Sequence, residues 1–329
     1  MNKKYLKLLI DATKNPAHIV RAEAARLLGE IGDKKAVPYL VSMLQKDDWY
    51  SKVTAVYALE KIGDKRAVPV LRRIAKNPGV FDFSGFYNHD MIRLASVAAL
   101  IRVNETNVLE NIQDIMEVEN LEAFVHFGPS IMKLPNSKET GRLKSKVSMA
   151  FLKQSAKGRF QSGAQARIAE CLGYIRTKES LTMIKKYLAH FSRYVRAAAA
   201  GALLRYKNSP ENRNLLKKML KKENAVFTKI KVALLLNSSE LDCILQKALL
   251  DEDYFVRATA VDAVAEAKKP EYTSALIRLL GDEHFYVRLC AVEALEKLGC
   301  REASVRVAEL LKDDEIRVRL QAAKYFVNS

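Results

Sequence analysis

The chain repeats itself every 31 residues, and that period constrains its fold more than any other feature. Residues 31–40 read IGDKKAVPYL and residues 62–71 read IGDKRAVPVL, identical at eight of ten positions. Far along the chain, 254–264 read YFVRATAVDAV and 285–295 read FYVRLCAVEAL, again 31 apart. A basic residue marks the same place in successive units: Arg21, Lys52, Arg93, Arg196, Lys229, Arg257, Arg288 and Arg319, with Gln165 substituting once. A period of 20–50 residues means stacked units, none of which buries its apolar face alone.

Each unit reads as two helices. Asp48 is placed to cap a first helix running to about Ile62, with Val53, Val56, Tyr57 and Leu59 on a broad apolar stripe. Gly63 supplies the turn, Asp64 caps onward, and Pro69 falls in the first turn of a second helix, where its missing N–H costs nothing. Asp253, Asp282 and Asp314 recur ahead of later first helices. The pattern resembles the HEAT-like repeats of the PBS-lyase (bilin lyase) type, through the motif D-x-x-VR-x-x-AA-x-AL-x-x-IGD-x-x-AVP-x-L. It is sharpest at 19–75 and 253–312. It lapses over 104–160, and Lys207-Asn208 stand where a Gly-Asp turn belongs.

The resemblance implies an all-α fold, a right-handed α-solenoid (α-α superhelix) of about ten HEAT-like helix pairs, with second helices on the concave face. It also implies an Arg–Asp ladder between neighbouring units, which gives Arg257 and Arg288 structural work. One continuous solenoid over 1–329 is expected: regular repeats over 1–76, an aromatic loop at 77–89, degenerate repeats over 90–160 and regular repeats over 161–329. Residues 2–13 read as a second helix lacking its first, and 315–327 as a first helix lacking its second. The latter carries Tyr325, Phe326 and Val327, so it either folds down onto Leu310 and Leu311 or offers a homotypic or partner contact.

The net charge of +17 is concentrated. Residues 131–235 hold 24 basic and 5 acidic residues, while 81–130 hold 2 and 8. Such asymmetry points to an anionic partner. Within 211–222, Leu215, Leu216, Met219 and Leu220 form one helical stripe and Lys217, Lys218, Lys221 and Lys222 the opposite one. Like charges at helical spacing repel by a few tenths of a kcal/mol per pair, a cost that a merely solvated face avoids by mixing signs. Arg213 lies on the same helix, Lys185 and Lys186 on the preceding second helix, and Arg142, Lys144 and Lys146 in the degenerate stretch upstream. Two readings stand: a solubilising lysine face, or a groove for an anionic partner. The aromatic loop, with Phe81, Phe83, Phe86 and Tyr87, reads either as a binding lip or as a flap on its own solenoid edge.

No catalytic constellation emerges. The sequence holds no HExxH, P-loop, GxGxxG or nucleophile elbow. None of the five histidines is followed by Glu, unlike the His-Glu iron ligands of HEAT-repeat hydroxylases. Four cysteines without CxxC spacing indicate reduced thiols; Cys171, Cys243 and Cys290 are expected to be buried and Cys300, in a turn, exposed. With no stretch approaching the roughly 20 apolar residues of a membrane span and no secretory signal at its start, a cytoplasmic chain without cofactor or metal is expected. The favoured function is a non-enzymatic scaffold binding an acidic protein on its Lys-rich middle. The alternatives are a nucleic-acid-binding protein on a DNA-repair-glycosylase-like scaffold and a bilin (chromophore) lyase-like protein.

Overall fold

The computed structural model describes residues 2–46, 48–76, 88–103 and 162–328, with 105, 132, 140–141, 144–145, 148–149 and 152 between them. Among the described residues all regular structure is helical. The first helices of the repeats are α2 (His18–Ile31), α4 (Trp49–Ile62), α6 (Asn88–Arg102), α7 (Ser162–Ile175), α9 (Arg193–Tyr206), α11 (Val226–Leu236), α13 (Tyr254–Glu266), α15 (Phe285–Lys297) and α17 (Ile316–Asn328). The second helices are α1 (Lys3–Ala12), α3 (Val37–Lys46), α5 (Val68–Lys76), α8 (Lys178–Tyr187), α10 (Pro210–Lys222), α12 (Leu241–Ala248), α14 (Thr273–Leu279) and α16 (Ser304–Glu309). The chain is an all-α solenoid of HEAT-type helix pairs. The aromatic loop residues Phe81, Phe83, Phe86 and Tyr87 lie outside the described residues, as do Arg142 and Lys146.

The local grammar follows the sequence. Asp48 caps α4 by accepting from the Tyr50 and Ser51 N–H groups, each at 3.0 Å. Gly63 ends that helix at φ +62°, the left-handed region that a residue with Cβ adopts only under strain. Asp64 then accepts from the Arg66 N–H at 2.8 Å and opens the next turn. After α9, where the Gly-Asp pair is absent, Lys207 leaves the helix extended at φ −158° and Ser209 caps α10 ahead of Pro210. One cap departs from expectation. Asp253 caps α13, but at α15 the Nδ1 of His284 accepts from the Tyr286 N–H while Asp282 turns to Arg257.

The described residues fall into two compact units, one from 1–123 with 299–329 and one from 124–298. In the second unit α7, α9, α11, α13 and α15 pack side by side, whereas α8, α10, α12 and α14 rest on the first helices and make no comparable contact with one another. Small residues allow the close approach: a Cβ on Gly173 of α7 would sit 2.7 Å from the Ala202 carbonyl oxygen of α9. Ile168, Leu172, Leu203, Ile230 and Leu295 are fully buried between the layers, each stabilising by about 1.5–3 kcal/mol. The lysines of α8 and α10 are exposed on the second-helix layer of this unit. Gly173→Ala is expected to destabilise by about 1–3 kcal/mol, because overpacking against backbone outweighs the roughly 1 kcal/mol gained in helix propensity. Urea unfolding measures it; an unchanged midpoint would refute the close approach.

The first unit repeats this arrangement, with a Cβ on Gly29 of α2 only 2.6 Å from the Cα of Ala58 in α4. It also joins the two ends of the chain. Helix α17 packs against α1 and α2 and against 310–312. The Asn2 N–H donates to the Val327 carbonyl at 3.2 Å, and Tyr5 stacks on Phe326 with ring centroids 5.1 Å apart. Lys324 pairs with Glu30 at 3.0 Å. The half-repeat at 2–13 and the half-repeat at 315–327 thus complete each other. Tyr325 is only 4% exposed and Val327 is buried: of the two readings of the last helix, the one in which it folds down onto Leu310 and Leu311 agrees with its packing on 310–312, and α1 and α2 cover it further.

The repeat-marking arginines tie each first helix to its own entry loop and to the next repeat. Arg21, Arg196, Arg257, Arg288 and Arg319 each donate to the two carbonyls five and six residues upstream. Arg21 reaches on to Asp48, Arg196 to Glu223 and Arg257 to Asp282. The last two are bidentate, with N···O distances of 2.7–2.8 Å. Arg21–Asp48 and Arg257–Asp282 are the Arg–Asp rungs expected from the repeats, and at Arg196 a Glu takes the place of Asp.

Candidate anion-binding groove

Helix α8 starts from Thr177, which forms a reciprocal capping box with Ser180, and α10 starts from the Ser209 cap. Both are amphipathic. Leu216 and Leu220 of α10 are buried against the first helices, while Lys217, Lys218, Lys221 and Lys222 are exposed. Because α8 and α10 stand apart, a groove of about 1000 Å³ opens between them. Lys185 borders it from α8, and Lys218 and Lys222 border it from α10. Leu188, Leu215 and Met219 give it an apolar lining. Leu215 is 37% exposed.

The acid that lines the groove is already committed. Glu223 receives both the Nε and an Nη of Arg196 at 2.7 Å, and the N–H groups of Ala225 and Asn224 at 2.9 and 3.1 Å. Burial pushes its pKa up, but the Arg196 and backbone hydrogen bonds outweigh burial and hold it below the ordinary 4.5. A lowered folded value means that the pair stabilises fully above pH 4.5 and loses that contribution as pH falls through the lowered pKa. The advantage of the native protein over Glu223→Gln in urea unfolding is accordingly expected to be flat above pH 4.5 and to shrink in acid; a pH-independent difference would contradict this. His190, also lining the groove, is held below its ordinary pKa by burial and then by Arg196. Its Nδ1 accepts from the Ser192 N–H at 3.1 Å, so at neutral pH it offers an uncharged ring and the lysines supply the positive charge.

The sequence-predicted cations separate into groups. Lys185, Lys218 and Lys222 meet at the groove. Lys186, Lys217 and Lys221 are exposed but do not line it. Arg213 is spent elsewhere, donating to the Leu236 carbonyl at 2.6 Å and to Asn208 at 3.4 Å. Lys144 is half-buried, and burial lowers its pKa. Leu188, His190, Leu215 and Met219 were not foreseen as site residues, although the Leu215–Met219 spacing carried the signal.

A second hollow, of about 520 Å³, lies on the first-helix side of the same unit between α7, α9 and α11. Its floor includes Ala197, Ala198 and Gly201, and its walls Tyr194 and Phe227. Tyr194, Phe227 and Phe255 form an aromatic row with centroids 5.1 and 5.7 Å apart in sequence, and the Arg193 guanidinium lies over Tyr194 and Phe255. These rings stand two residues before the basic markers Arg196, Lys229 and Arg257, a regularity visible in the sequence. The charges here are largely engaged: Lys231 pairs with Glu266 at 3.4 Å and Arg205 donates to the Glu170 carbonyl at 3.2 Å.

The thiols offer no nucleophile at ordinary pH where burial governs them. Burial above all pushes Cys290 up to about 12, and a thiol is reactive only as thiolate. Cys171 and Cys300 are buried and Cys243 is exposed, so the expected placements of Cys243 and Cys300 are reversed. Among the described residues no group of three or more His, Cys, Asp or Glu has metal-site geometry. No helix among them is long and apolar enough to cross a membrane.

Comparison with solved structures returns an engineered protein, 17% identical over 100% of this chain and 99% of that one, with a TM-score of 0.35. Human deoxyhypusine hydroxylase in complex with glycerol is 14% identical over 90% of this chain and 96% of that one, at 0.35. The CpcE–CpcF complex of phycocyanin lyase from Nostoc sp. PCC7120 is 18% identical over 97% and 94%, at 0.32. No curated protein sequence matches. The family model for HEAT repeats covers residues 6–82, 149–237 and 243–325, the same stretches in which helix pairs, glycine turns and the arginine ladder recur, and the chain belongs to the HEAT-repeat family.

Proposed function

We propose that this chain is a non-enzymatic HEAT-repeat scaffold that binds an acidic partner protein through the groove between α8 and α10. HEAT repeats commonly mediate interactions between proteins. The observation that carries the reading is local: Lys185, Lys218 and Lys222 border one groove whose lining acid, Glu223, is neutralised by Arg196. A field of one sign with its counter-charge removed attracts an anionic surface and speeds its capture.

Fluorescence anisotropy with labelled polyglutamate tests this. Reversing Lys218 and Lys222 to Glu is expected to weaken binding by about tenfold or more, as loss of complementary rim charges does, while circular dichroism stays unchanged because both side chains are exposed. Undiminished binding would overturn the reading. Duplex DNA held more tightly than polyglutamate at 150 mM salt, with the steep salt slope of phosphate contacts (about 0.9 of a log unit per phosphate), would replace the acidic protein with nucleic acid.

A further inference from the structure

Resting on that reading of the groove, we infer that its occupant is an amphipathic acidic helix, whose apolar side chains seat on Leu188, Leu215 and Met219 while its carboxylates reach Lys185 on one wall and Lys218 and Lys222 on the other. Charge alone does not account for the groove. A purely electrostatic surface has no need of apolar side chains between its cations, yet Leu215 and Met219, four residues apart on α10, line the opening together with Leu188, the residue that ends α8. Leu215 is left 37% exposed there, while its neighbour Leu216 is fully buried in the core. An apolar strip flanked on both sides by cations is the complement of a helix with one apolar stripe bordered by acids, read through anchors at i, i+3, i+4 and i+7. The volume of about 1000 Å³ reaches the upper end of the roughly 300–1,000 Å³ usual for ligand clefts, enough for a few large side chains of a docked helix. His190 fits the same occupant, since its neutral ring adds contact area and no charge.

The experiment compares three labelled synthetic peptides of equal length and charge on the full chain at 150 mM salt. One carries Glu and Leu in helical amphipathic order, one the same residues ordered so that Leu is spread round the helix, and one Glu with Ser in place of Leu. The ordered peptide is expected to bind at least tenfold more tightly than either of the others. Leu215→Ser, at an exposed position, is expected to remove most of that advantage and leave the Glu/Ser peptide unaffected. Lys218→Glu with Lys222→Glu is expected to weaken all three. Equal affinity for the ordered and the Glu/Ser peptides would overturn the amphipathic occupant while leaving an acidic partner in place. Equal affinity for the ordered and spread peptides would overturn the helical register. No binding of any peptide, even at 20 mM salt, would remove both the occupant and the acidic-partner reading beneath it.

Discussion

Ending the chain after Lys312 will release the start of the first unit: amide exchange in α1 will rise towards that of an unstructured chain, and proteolysis will begin at the α1–α2 connection. The expectation comes from what α17 covers. Val318, Leu320, Ala322, Ala323, Tyr325 and Val327 are buried, and they are buried in part against α1, whose own anchors are only Leu6 and Leu9. At about 1.5–3 kcal/mol for each large apolar side chain, the lost contact is comparable to the 5–15 kcal/mol that holds a typical domain folded. An isolated helix of ten residues such as α1 is marginal in water. The polar links go at the same time: Lys324 no longer meets Glu30, and the Asn2 N–H loses the Val327 carbonyl. A synthetic peptide spanning 313–329, added in excess, is expected to restore protection to α1, because the missing piece is a whole helix with its own N-terminal signals. Exchange in α1 that is indifferent to the truncation would show that the paired ends contribute nothing to stability.

That pairing marks where the sequence stops being legible. The two half-repeats could be recognised separately, since each shows the helical stripe of its kind, but the contact joins Tyr5 to Phe326 and no local spacing connects residues so far apart. Periodicity also does not tell which layer's helices approach each other most closely. The second helices are amphipathic and the first helices are buried on most of their circumference, and the close backbone approach between first helices occurs at Gly29 and Gly173. Those glycines sit eight residues after Arg21 and after Gln165, so the signal existed without a reason to weigh it. Caps, turns and the arginine ladder were readable because each depends on residues within one or two repeats. On α10 the lysine stripe was readable from its angle alone, but only the neighbouring helix decides that Lys218 and Lys222, and not Lys217 and Lys221, border the groove.

Arg257→Leu is expected to cost about 3–5 kcal/mol in urea unfolding, the penalty of breaking a buried ion pair by removing one partner. Its side chain is 9% exposed and that of Asp282 is 6%. Two charge-assisted hydrogen bonds of 2.8 Å join them, and an Nη of Arg257 also satisfies the carbonyls of Asp251 and Glu252. Substitution strips Asp282 of its guanidinium, leaving it the His284 N–H at 2.9 Å, and leaves the two carbonyls to find water. Arg21 offers an internal comparison, because the side chains of its pair with Asp48 are more exposed, at 17% and 30%. Screening by solvent reduces such a pair to about 1 kcal/mol or less, so Arg21→Leu is expected to be the milder change, its larger part coming from the lost carbonyl contacts to Asn15 and Pro16. Adding Asp282→Leu to Arg257→Leu is expected to recover part of the loss, since the stranded carboxylate is then gone. Equal costs at the two arginines, with no recovery in the double variant, would mean that carbonyl capping alone explains the recurring arginine and that the ladder between repeats carries no stability of its own.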